Sequence, residues 1–286
     1  VRQSSNPVFK NLDKEYAKIG GNAAGGVAGA QRMGVGQQQY GGQPGAEAFK
    51  TGRDQRAMTI DDVVTKTAMT LGVLTITAVI SYVLVHGNES LMVPLSMGGM
   101  IVGLVLALVA IFTKRTDNPA IVLAYAAAEG VFLGAISFMF ANLSFNGGTA
   151  PGNDIIIQAV VGTFGVFGGM LVVYKTGAIR VTPKFTKMIV GALFGVLALM
   201  VVNLVAGFIT PGGLGLRDGG TIAIIFSLVC IGLAAMSFLI DFDQADKMIA
   251  AGVPEKAAWS VAFGLTVTLV WLYLEILRLL SYFQSR

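Results

Sequence analysis

The sequence predicts an all-α, polytopic membrane protein, a seven-transmembrane-helix bundle preceded by a disordered N-terminal tail. Three observations predict it. Seven apolar stretches are each long enough to be a membrane span, their interiors are nearly free of charge, and the lysines and arginines that flank them alternate from one side to the other. A helix rises ~1.5 Å per residue, so ~20 residues cross a ~30 Å hydrocarbon core. An extended segment would leave its amides unsatisfied in lipid, so each stretch is expected to be helical. Composition agrees, because 54% hydrophobic and 13% charged residues leave a soluble chain too little polar surface.

Residues 1–58 form a region apart. Gly25, Gly26, Gly29, Gly34, Gly36, Gly41 and Gly42 alternate with Ala and Gln, and no hydrophobic period persists. This composition predicts a disordered Gly/Gln-rich cytoplasmic tail, read either as an untethered solubilising segment or as one in which residues 10–18 make a short basic helix that touches anionic lipid or a partner. No apolar core of the kind export requires occurs in it, so no cleavable signal is expected.

The transmembrane domain, residues 59–286, holds spans expected at 67–85, 91–112, 119–143, 155–174, 185–209, 221–240 and 257–283. Odd-numbered spans begin with local start signals. Thr59 and Asp62 have the spacing of a capping box, while Asn118-Pro119, Thr182-Pro183 and Pro254-Glu255 place proline at a first helical turn. Small residues recur at packing intervals: Gly99 with Gly103, Gly130 with Gly134, Gly191 with Gly195, and Gly162, Gly165, Gly168 and Gly169 together. In lipid, such positions let helix backbones approach and gain dispersion contacts. No repeat between halves supports an inverted-repeat transporter.

Orientation follows from the basic residues of short loops. Lys50, Arg53, Arg56 and Lys66 precede the first span. Lys114 and Arg115 follow the second, Lys175, Arg180, Lys184 and Lys187 the fourth, and Lys247 and Lys256 the sixth. The intervening loops, 86–90, 144–154 and 210–220, hold a single basic residue, Arg217. The chain is therefore expected in the cell membrane with its N-terminus cytoplasmic and its C-terminus outside. The net charge of +4 reflects those loops and implies no nucleic-acid partner.

An ionisable group at mid-membrane costs ~2.5–3.5 kcal/mol on insertion scales, so each should face protein or water and have a partner. The candidates are Glu129 in the third span, Glu275 and Arg278 in the last, and Asp241 and Asp243 where the sixth reaches the cytoplasm. Glu275 and Arg278 lie three apart and can pair on one helix face. Glu129 has no cation in its own span, so either Arg278 reaches across to it or it holds its proton. Asp241, Asp243 and Asp246 form an acidic run whose spacing suits either calcium, which takes six to eight oxygens, or a solvated helix end.

The residue inventory argues against enzymes. The only histidine, His86, lies in a loop, so a serine hydrolase or a histidine-rich metal site lacks its parts. The last span has no lysine for a retinal Schiff base and no aspartate for an intramembrane aspartyl protease, and no phosphate-binding loop occurs. Cys230 is the single cysteine and can form no internal disulfide. No cofactor is expected.

Against this background the sequence resembles the Bax inhibitor (transmembrane Bax-inhibitor-motif) family, in a bacterial branch. The resemblance rests on Ala124-Tyr125 with the run Glu129-Gly130-Val131-Phe132-Leu133-Gly134-Ala135-Ile136-Ser137, on Phe242-Asp243, and on Leu272-Tyr273-Leu274 with Leu277-Arg278-Leu279-Leu280. It covers about residues 61–283 and leaves the tail outside. It implies a bundle with a central last helix and a pH-sensitive calcium leak. The family's sensor is a pair of aspartates, one closing the sixth helix and one inside the seventh. Asp243 matches the first, with Asp241 as a substitute, and Thr268 stands in the second place. Glu275, two turns beyond Thr268 on nearly the same face, or Glu129 can supply the missing acid. The expected function is a proton-modulated calcium or cation leak or exchanger, with Asp243, Asp241, Glu129, Glu275, Arg278 and Thr268 as its pathway. The alternative is a non-transporting regulator that holds another membrane protein, such as a membrane protease, through lipid-facing grooves and the tail.

Overall fold

The computed structural model describes residues 56–142, 152–210 and 213–284. The residues 1–55 of the expected tail, with its basic helix, lie outside this description. Among the described residues the regular structure is helical: α1 (Ile60–Gly87), α2 (Met92–Phe112), α3 (Pro119–Asn142), α4 (Asp154–Thr176), α5 (Pro183–Gly207), α6 (Thr221–Ala250) and α7 (Ala258–Gln284). Short 3-10 turns, Glu89–Leu91 and Glu255–Ala257, lead into α2 and α7. Each of the seven helices is long and apolar enough to cross a membrane.

Local signals set most of the starts. The Thr59 hydroxyl accepts from the Asp62 amide at 3.4 Å, and the Asp62 carboxylate accepts from the Thr59 amide at 2.9 Å, completing the capping box. Pro119 and Pro183 open α3 and α5, where the missing N–H costs no intrahelical bond. Pro254 precedes the turn before α7. The sixth helix differs from expectation at its other end. It continues ten residues past 240 to Ala250, so the three aspartates lie within the helix. Nothing between 240 and 250 breaks a helix: the residues are acids, Gln, Lys, Ala, Met, Ile and Phe, and the first helix-breaking glycine is Gly252, at φ +64°.

α7 is the axis. Of its apolar span 67% is buried, against 50% for α3 and α6 and 11% for α5. It packs against α1, α3, α4 and α6, while α2 leans on α3 and α5 on α6. One core cluster joins Phe238 and Phe242 of α6 to Leu265, Leu269 and Leu272 of α7. Phe167 of α4 meets Phe238 and Phe242 edge-on, with ring centroids 5.3 and 5.6 Å away.

Glycine spacing splits into two behaviours. At Gly130 and Gly134 the α1 backbone comes so close that a methyl group would collide with the Leu74 and Ala78 carbonyl oxygens. A methyl at Gly99 would lie 2.6 Å from the Phe132 amide of α3. Gly165, Gly168, Gly169, Gly191 and Gly195, expected at packing positions too, would meet nothing within 4 Å. The expectation fails there because α4 and α5 turn those faces away from the described helices.

The bundle also begins earlier than residue 59. The Met58 amide donates to the Val253 carbonyl and the Glu255 amide to the Arg56 carbonyl, both at 2.8 Å, forming an antiparallel bridge between Ala57 and Pro254. Met58 is 2% exposed, packed in the α6–α7 cluster. These last three residues assigned to the tail are fastened to the bundle, and Met58 is part of its core.

Candidate functional site

The acidic run on α6 is divided among three partners. Asp241 accepts a hydrogen bond from the Thr268 hydroxyl at 2.8 Å. Asp243 pairs with Lys247 one turn along, at 2.5 Å, and Asp246 accepts from the Tyr174 hydroxyl of α4 at 2.7 Å. Residues two apart on a helix point ~200° away from each other, which explains the division. Asp241 and Asp243 therefore present no shared set of oxygens, and among the described residues no group of three or more His, Cys, Asp or Glu gathers as a metal site. Thr268, counted into the place of the family's second aspartate, does face α6, but its partner is Asp241 where the motif pointed first to Asp243.

Thr268 also bonds the Gly264 carbonyl at 3.2 Å, so its hydroxyl is fixed between its own helix and α6. The contact joins α6 to α7, the most enclosed helix of the bundle. Two turns further along α7 sits Glu275, 1% exposed. Its Oε1 accepts from Arg278 at 2.7 Å, as the i,i+3 spacing predicts, and lies 3.8 Å from the Arg217 guanidinium. Its Oε2 is buried without a hydrogen-bond partner.

Arg278 is thus committed to Glu275, and does not reach Glu129. Glu129 lies between α3 and α2. Tyr125 lies one turn back on the same helix, and a methyl at Gly103 of α2 would come within 2.8 Å of the Glu129 Oε1. Tyr125 is held by Phe263 of α7, edge-on at 4.9 Å. Of the sequence candidates, Asp241 with Thr268 and Glu275 with Arg278 lie on the α6–α7 axis. Glu129 is on the flank, and Asp243 is occupied by Lys247.

Sequence reasoning missed two polar clusters. At the end where α1 begins, Arg56 pairs with Asp62 at 2.5 Å and Glu255 at 3.6 Å, and Lys66 pairs with Glu255 at 3.2 Å. The pairs to Glu255 join segments far apart in sequence, so no local spacing marks them. At the other end, Arg217 from the loop between α5 and α6 reaches Glu275; its standing as the lone basic residue in three loops was the available signal.

A cavity of about 460 Å³ lies elsewhere. It lies between α1 and α4 over a floor of α3 and α7, with Leu71, Leu74, Val160, Phe164 and Leu269 among its walls. Its lining is overwhelmingly apolar, and the Ser137–Tyr273 hydroxyl pair on its floor is already satisfied at 2.8 Å. An ion would find no charge there.

A seven-helix bundle with an enclosed last helix that carries the buried acid and base defines a multi-pass membrane protein. The sequence profile described as Bax inhibitor 1 like matches residues 6–285, and the chain belongs to that family. The match extends N-terminally well past residue 61, where the resemblance was expected to begin, and so takes in most of the segment read as tail. No curated protein matches the chain.

Proposed function

We propose that this protein is a passive, proton-modulated cation leak in the cell membrane, with calcium as the permeant ion and no bond-making chemistry. The observation that carries this reading is the pair of acids on the central axis, Asp241 against Thr268 and Glu275 against Arg278, in a chain of this family. Carboxylates held inside a membrane bundle mark ion or proton routes by default, because the cost of placing them there is otherwise uncompensated. Asp241 is held by one neutral donor, so its charge is available to a passing cation. Glu275 keeps one oxygen unpartnered. The basic loops support a cytoplasmic N-terminus, which puts Asp241 toward that side and Glu275 toward the outside under this reading.

A protonated Asp241 carries no charge, so flux falls as acid titrates it. Calcium entry into dye-loaded proteoliposomes between about pH 6 and 8, where carboxylates at buried sites titrate, tests this. The expected result is flux above empty vesicles that rises with pH and is lost in Asp241→Asn, while Asp243→Asn leaves it largely intact. Flux from folded protein no greater than that of empty vesicles sinks the leak.

The apolar cavity between α1 and α4 favours a second reading, a regulator that holds another membrane protein. Under that reading the protein co-purifies with a membrane partner and deleting residues 1–55 abolishes capture, whereas under the leak reading the same deletion leaves ion flux intact.

A further inference from the structure

We infer that Arg217 is a tethered cation that plugs the pathway at the α5–α6 loop end by occupying the place of a permeant ion beside Glu275. The inference rests on the leak reading and adds a gate to it. Glu275 needs one counter-ion, and Arg278, on its own helix and 11% exposed, already supplies it at 2.7 Å. Arg217 is a second cation on the same Oε1, at 3.8 Å, with more than a third of its side chain exposed. At the Glu275 carboxylate itself two guanidiniums face one acid, and this local excess of positive charge repels a cation approaching that oxygen. The unpartnered Glu275 Oε2 gives a cation that displaces Arg217 an oxygen to bind.

The loop is built to hold Arg217 there. The Asn203 side chain of α5 accepts from the Leu214 amide at 2.9 Å, and Asp218 accepts from the Gly220 amide at 2.9 Å, an Asx turn that leads into α6. Gly213 and Gly219, at φ +61° and +84°, supply the left-handed turns on either side. The guanidinium also rests against the Met200 sulfur at 3.3 Å. Glu275 lies seven residues beyond Thr268 on α7, about 10 Å along the axis, so plug and Asp241 sit at successive points of one route. A long contact with an exposed partner is weak, and that suits a plug that must leave.

The test is calcium flux through proteoliposomes of the parent protein, Arg217→Ala, Arg217→Lys and Arg217→Cys. Arg217→Ala is expected to raise flux roughly three- to tenfold, factors that correspond to ~0.6–1.4 kcal/mol. Arg217→Lys keeps the cation and stays near the parent. Arg217→Cys leaks like the alanine variant until an aminoethyl thiol reagent restores a positive charge and closes it. A neutral reagent of equal size leaves it open, and Cys230, fully buried, keeps the treated parent unchanged. The plug is overturned if the parent leaks and Arg217→Ala leaks no faster, or if neutral and cationic reagents close Arg217→Cys equally. If parent and variants alike match empty vesicles, the leak reading fails and the plug falls with it.

Discussion

A threonine hydroxyl donates to a carboxylate at any pH and carries no charge of its own, which is what position 268 gives Asp241. Removing the donor leaves a membrane-buried carboxylate to find another partner. Thr268→Val, nearly the same shape, is expected to destabilise the protein by about 1–3 kcal/mol, read from thermal unfolding in detergent. Unchanged stability would mean that the hydroxyl bond is dispensable. Thr268→Asp makes the opposite change, placing two carboxylates within hydrogen-bond reach, where they share a proton and titrate as a pair. Its calcium flux should acquire a steeper pH dependence than that of the parent. The place of Thr268 was legible by counting along α7 from Arg278, since a helix keeps register. Its partner was not, because the span was expected to end at 240, and only the continuing helix turns Asp241 inward and Asp243 toward Lys247. Arg217 was visible as an anomaly of charge, but its target lies 58 residues away on another helix, beyond the reach of any periodicity.

Glycine pairs at four-residue spacing look alike in sequence and behave differently between α3 and α5. A helix gains ~1 kcal/mol when an interior glycine becomes alanine, and loses about 1–3 kcal/mol or more when the added methyl overpacks a contact. Gly130→Ala and Gly134→Ala should therefore destabilise, because the obstacle is the α1 backbone, which has no rotamer to give way. Gly191→Ala and Gly195→Ala should be neutral or stabilising, since each methyl meets open space. Melting curves of the four variants in one detergent check this, and loss of stability at Gly191 or Gly195 would reveal an α5 contact absent here. Helix starts were legible at this scale because a capping box or an opening proline acts within one turn. Which helix face is covered depends on a partner, and a small-xxx-small spacing names no partner.

For the whole molecule, the last segment before α1 works as a clip. Arg56 and Met58 pair with the loop before α7, Arg56 and Lys66 share Glu255, and Met58 fills the core between α6 and α7, so the start of the bundle is fastened to the start of its axis. Hydropathy placed all seven helices but could not see this clip, because its residues are few, mixed in character and adjoin a glycine-rich run. Deleting residues 1–55 is expected to leave the unfolding temperature unchanged. Deleting residues 1–58 removes a side chain 2% exposed together with the Arg56 pairs, and should lower stability at least as much as Met58→Ala, about 2–5 kcal/mol. Part of the loss in the longer deletion should persist in high salt, which screens the half-exposed Arg56 pairs but not the packing of Met58. Equal unfolding temperatures for the two deletions would show that the clip adds nothing and that the bundle begins, as hydropathy alone implies, at the capping box of α1.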